Sequence, residues 1–125
     1  MKLIVTATEK DLDAQVDPRF GRCHYFITVD PDTYEYNAVE NNQKNALGGA
    51  GVQAAESVAN AQIDALITGA VGPKAFQTLK AANIKIYTGA SGTVKEAIAA
   101  YLKGELEETN SSTVNAHHGI NNRGQ

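Results

Sequence analysis

The chain has 125 residues, 42% of them hydrophobic and 20% charged, an ordinary soluble composition that fits one domain with its own core. A net charge of −3 offers no general attraction to nucleic acid or to an anionic membrane surface. A lone cysteine excludes an internal disulfide, and no apolar run is long enough for a signal sequence or a membrane span, so a reducing cytoplasm is the expected setting.

Lys2 to Thr8 is a short β-branched run, as in a buried central strand. Glu9 to Asp17 is polar, carries Glu9, Asp11, Asp13 and Asp17, and reads as a long loop of the kind that often serves function. Asp17-Pro18 marks a turn. From His24 to Val29 the pattern alternates, with Tyr25, Ile27 and Val29 on one face and Phe26 on the other, which predicts a second strand. Asp30-Pro31-Asp32-Thr33 is a turn, and Tyr34 to Glu40 alternates again, completing an antiparallel meander.

After the polar loop Asn41 to Asn45 the periodicity changes. Gly48-Gly49-Ala50-Gly51 leads into a helix over Val52–Ala61, and Ile63 to Thr68 is a strand. Gly69-Ala70-Val71-Gly72-Pro73 opens a second helix with proline at its first position, carrying Ala75, Phe76, Leu79 and Ala82 at helical spacing. Ile84 to Thr88 is the last strand. Thr93 and Glu96 form a capping box for a third helix, and Gly104 suits its C-terminal end. Residues 1–108 form one domain, and the Asn/Ser/Gly-rich stretch 109–125 reads as a mobile polar tail whose odd feature is His117-His118.

A meander followed by helix–strand–helix–strand–helix restricts the topology, because crossover connections are parallel and right-handed. The simplest solution is an α/β fold of the ribonuclease-H-like motif. It has a five-stranded mixed sheet of order 3-2-1-4-5, strand 2 antiparallel, with helices on both faces. The loops after strands 1, 4 and 5 then meet at one edge, where open α/β sheets tend to bind ligands. That edge gathers Arg19, Arg22, Cys23, and the glycine-containing helix starts at Gly72 and Gly92. Guanidiniums and free helix amides favour anions, and thiol and imidazole favour soft or borderline metals.

Asp-Pro-Arg-Phe-Gly-Arg-Cys-x-x-Phe (residues 17–26), Gly-Gly-Ala-Gly (48–51) and Gly-Ala-Val-Gly-Pro-Lys-Ala-Phe (69–76) resemble the dinitrogenase iron–molybdenum cofactor biosynthesis family, the domain of NifX-type carriers and of the C-terminal part of NifB-type proteins. The resemblance covers about residues 1–105 and implies the ribonuclease-H-like fold and the binding or carriage of a metal–sulfur cofactor or its precursor, with cluster-assembly proteins as partners. On this reading Arg19, Phe20, Gly21, Arg22, Gly72 and Gly92 hold the cofactor, and Cys23, His117 and His118 are the metal ligands. Each has a plainer alternative. Cys23 is equally a small buried residue, the arginines can bond loop carbonyls or Asp17, Phe20 can anchor the loop in the core, and the glycines can serve turns.

Catalysis is not expected. Strand 1 carries no carboxylate, strand 4 only Asp64 at its far end, and no nucleotide-binding, nucleophile-elbow or structural-zinc motif occurs. The expected role is non-catalytic binding of an anionic metal–sulfur cofactor. The alternatives are a phosphate- or nucleotide-binding regulatory module and a protein-interaction adaptor.

Overall fold

The structure, a computed structural model, describes residues 1–42 and 49–112. In chain order the elements are β1 (Leu3–Ala7), β2 (Tyr25–Val29), β3 (Tyr36–Glu40), α1 (Ala50–Asn60), β4 (Ala65–Ile67), α2 (Pro73–Ala81), β5 (Lys85–Tyr87) and α3 (Val94–Leu102). The sheet order is β3-β2-β1-β4-β5, with β1–β2 and β2–β3 antiparallel and β1–β4 and β4–β5 parallel, as expected from the element pattern.

β1 is central because all five of its residues are apolar or hydrogen-bonded and buried on both faces. Its alternate residues feed two cores. Ile4 joins Phe26, Leu66 and Ile86 beneath α1 and α2, through Ala54, Val58, Phe76 and Leu79. Leu3, Val5 and Ala7 join Ile27, Val29 and Ile67 beneath α3, through Val94, Ala97 and Ile98. The period-two alternation of β2 is observed as read, with Ile27 and Val29 in the second core and Phe26 in the first. The small residues Ala54 and Ala55 let α1 lie close to the sheet.

Two segments are more ordered than composition suggested. The polar stretch after β1 doubles back, burying Ala14 and Val16 in the second core and pairing Val16 with Ala7 and Gln15 with Thr93. Two apolar side chains and a row of backbone bonds outweigh its acidic content. At the other end, Thr109 is not free. Its N–H donates to Ile86 O at 2.7 Å, its hydroxyl accepts from Thr88 N–H at 3.1 Å, and Glu108 bridges to Tyr87, so this segment covers the β5 edge. His117 and His118 lie outside the described residues.

The capping box of α3 is present as read. Thr93 Oγ1 accepts from Glu96 N–H at 3.1 Å and Glu96 Oε1 accepts from Thr93 N–H at 2.8 Å. The Thr93 backbone and then its hydroxyl hold the Glu96 carboxyl below the usual carboxylate range. Its stabilising contribution is therefore fully present above that range and is lost as pH falls through the lowered value. Thr93→Ala is expected to lower unfolding stability by about 1 kcal/mol in denaturant titration and to flatten this part of the acid dependence.

Candidate functional site

The segment from Asp17 to His24 is held from below by one buried carboxylate. Asp17 is 1% exposed; its Oδ1 accepts from Arg19 N–H at 3.1 Å and its Oδ2 from His24 N–H at 3.2 Å. The same oxygens face Arg19 Nε at 3.7 Å and His24 Nδ1 at 3.2 Å. The backbone of Asp17 is pinned in turn, because its N–H donates to Thr6 O and its carbonyl accepts from Thr6 Oγ1, which also bonds Thr68 Oγ1. From above, the buried Asn41 amide donates to Gly21 O at 3.0 Å and Cys23 O at 2.9 Å. Neither anchor stands out by type in the sequence. Asp17 reads as a turn residue and Asn41 as the start of a polar loop, and only the fold brings both to the same segment.

Three glycines let this segment dock. A Cβ on Gly21 would lie 2.6 Å from Gly51 Cα at the start of α1, and one on Gly69 would lie 2.5 Å from Pro18 Cα. Arg19 pairs as a short parallel bridge with Ala70, and Phe20 N–H donates to Ala70 O at 3.2 Å. The described parts of the three stretches singled out by motif therefore lie together on one surface.

Between them runs a cleft with two joined halves that share Phe20, Gly21 and Gly72. One half, about 270 Å³, lies between the starts of α1 and α2 and is lined by Gly49, Gly51, Val52, Pro73, Lys74 and Ala75. The other, about 300 Å³, is lined by Arg19, Arg22 and Ala70. Among the described residues, no carboxylate, hydroxyl or carboxamide side chain lines either half. Among the described residues, the starts of α1 and α2 have glycine N-caps, no capping side chain and no acidic residue in the first turn. Their first-turn amides lack intrahelical partners and carry the positive end of the helix dipole. Arg19, Arg22 and Lys74 are exposed around them. Such a recess suits a compact anion.

Several expected site residues fall differently. Gly72 lines the cleft, whereas Gly92 does not. It has φ +81°, the space for its Cβ is taken by Glu96 Oε1, and its carbonyl accepts from Val16 N–H. The α3 start is consumed internally, since Val94 and Lys95 N–H donate to Ala14 O and Leu12 O. The start of α1 takes the place assigned to that of α3. Phe20 is 1% exposed, its ring 5.8 Å from that of Phe26, so it anchors the segment in the core and forms the floor of the cleft. Cys23, expected among the metal ligands, is placed away from the cleft surface. It lies fully inside the first core, with Asn41 Nδ2 3.8 Å from its sulfur. Burial, then the Asp17 charge, pushes the thiol far up, so it is a neutral packing group. Among the described residues no group of three or more His, Cys, Asp or Glu gathers to hold a metal ion, and no helix is long and apolar enough to cross a membrane.

Residues 1–104 match the family described as dinitrogenase iron-molybdenum cofactor. An uncharacterized protein of Methanocaldococcus jannaschii is 32% identical over 97 residues, which is 75% of this chain and 82% of the relative. The apo form of the orange protein of Desulfovibrio gigas superposes with a TM-score of 0.86 at 38% identity, covering 90% of this chain and 95% of that one. A Thermotoga protein provisionally named as NifB superposes at 0.77, also 38% identical, covering 90% and 96%.

The packing sets two expected outcomes. Gly21→Ala should lower stability by about 1–3 kcal/mol through overpacking against the α1 backbone, while Gly72→Ala, whose Cβ meets nothing within 4 Å, should stay within about 0.5 kcal/mol, both measured by denaturant titration. The Cys23 thiol should resist thiol reagents in the folded protein. Because its neutral form is favoured by folding, stability should fall as pH rises past the ordinary thiol value of 9.0, and Cys23→Ala should remove that slope.

Proposed function

We propose, from the premise that this chain belongs to the dinitrogenase iron-molybdenum cofactor family, that it binds and carries an anionic metal–sulfur cofactor or its precursor in the cleft between Arg19, Arg22 and the starts of α1 and α2. The observation that carries this reading is the pair of uncapped helix starts facing one recess with three cations at its border and no acidic lining among the described residues. The cluster is cargo. The protein supplies position and charge, with Arg19 and Arg22 as fork-shaped donors, Lys74 as a point charge, and amides of both helices approaching closely because Gly49, Gly51 and Gly72 carry no side chain. The apolar patches of Val52, Pro73 and Ala75 suit weakly hydrated sulfide better than a strongly hydrated oxyanion.

No acid–base or nucleophilic machinery is part of this role. Cys23 is neutral and buried, and the only histidine among the described residues, His24, is tied to Asp17. The cleft is open, which suits exchange of cargo with an assembly partner. That a relative of 38% identity is described as an apo form accords with a bound state of that relative.

The test is anaerobic titration with tetrathiomolybdate followed by its visible bands. Saturable binding is expected, weakened about tenfold or more in Arg19→Ala/Arg22→Ala, since each lost charge-assisted bond is worth about 1.5–3 kcal/mol. Gly72→Leu should fold and also weaken binding by filling the recess. Undiminished binding in both variants, or a thermal shift with nucleotides or sugar phosphates alone, would overturn the proposal in favour of a phosphate site. Absence of any small-ligand response would leave an adaptor role.

A further inference from the structure

We propose that His24 is a ligand to the cargo's metal, presenting Nε2 to a transition-metal centre that arrives within an anionic sulfide cluster. This rests on the cleft reading above and deepens it.

Asp17 Oδ2 lies 3.2 Å from His24 Nδ1 and also accepts the His24 backbone N–H at 3.2 Å. A carboxylate only accepts, so Nδ1 carries the proton, and in the neutral ring the lone pair is on Nε2. Nε2 has no hydrogen-bond partner among the described residues, and the side chain is 50% exposed although its anchor is almost fully buried. A buried carboxylate fixing one nitrogen while the other faces outward is the arrangement that orients imidazole for metal ligation. The other oxygen of the same carboxylate faces Arg19 Nε at 3.7 Å, so imidazole and guanidinium flank one anchor, and it is the guanidinium that lines the cleft.

The neighbours determine which metal fits. Cationic Arg19 disfavours a bare divalent ion, and the described residues gather no three-ligand set. A single outward lone pair suits a metal that brings its own sulfides and has one exchangeable terminal position. In the exchange, Nε2 donates its pair to the metal, and a terminal thiolate leaves with the pair of its own bond and takes a proton from the buffer. No oxidation state changes.

Two anaerobic probes separate this from the cleft reading. Tetrathiomolybdate has no exchangeable terminal ligand and reports the cationic recess alone. A synthetic four-iron, four-sulfur cluster carrying simple alkyl thiolates can exchange one. The variant is His24→Asn, whose amide can still donate to Asp17 but which lacks the outer nitrogen. Wild type is expected to bind the iron–sulfur cluster about tenfold or more tightly than His24→Asn, with equal affinity for tetrathiomolybdate. The reduced cluster on wild type should show a nitrogen hyperfine coupling that the variant lacks. Equal cluster affinity, or no nitrogen coupling in wild type, overturns the role of His24 and leaves the recess standing. Loss of tetrathiomolybdate binding by wild type overturns the recess itself.

Discussion

One carboxylate with almost no access to solvent sets the geometry of this protein's candidate site. Asp17 gathers two backbone amides, an imidazole and a guanidinium around its two oxygens, and its own backbone is locked to the end of β1. A buried carboxylate is tolerated only when its lone pairs are used, so each partner is part of the condition for its being there. The same condition brings Arg19 to the cleft and turns His24 outward. Asn41 closes the ring from the far side of the segment, and its two carbonyl contacts keep Gly21 and Cys23 in place.

The three helix starts divide their roles by how their amides are used. α3 is completed by its capping box and by the carbonyls of Leu12 and Ala14, so it presents little to a ligand. α1 and α2 begin at glycines without side-chain caps among the described residues. Uncapped starts carry a stability cost in an isolated domain and become favourable when an anion completes them. The glycine contacts explain why they sit together. Gly21 against Gly51 and Gly69 against Pro18 leave no room for a Cβ, so one segment is clasped between the α1 start and the β4–α2 loop.

The role proposed above is one of holding and passing on rather than of converting, and three features support it. The cations lie at the border of an open cleft, the thiol expected to be a metal ligand is neutral and enclosed, and the half-exposed imidazole is held by its neighbour. Exposed charges and dipoles hold an anion without surrounding it, which keeps release feasible.

Much of the architecture is legible in the residues alone. The meander, the crossover helices, the sheet order and the α3 capping box follow from alternation, helical spacing and the handedness of crossovers, all of which are local or nearly so. The Arg-Phe-Gly-Arg segment and the Gly72 helix start are also legible, as turn chemistry and motif. What the sequence could not assign depends on partners distant in the chain. Whether Cys23 is ligand or core, whether the α1 or the α3 start joins the cleft, and why Asp17 and Asn41 matter are decided by which groups the packed fold brings within bonding distance. Residue type sets what a side chain can do; burial and the use of its hydrogen-bonding groups, which exist only once the sheet and helices close, select which of those things it does.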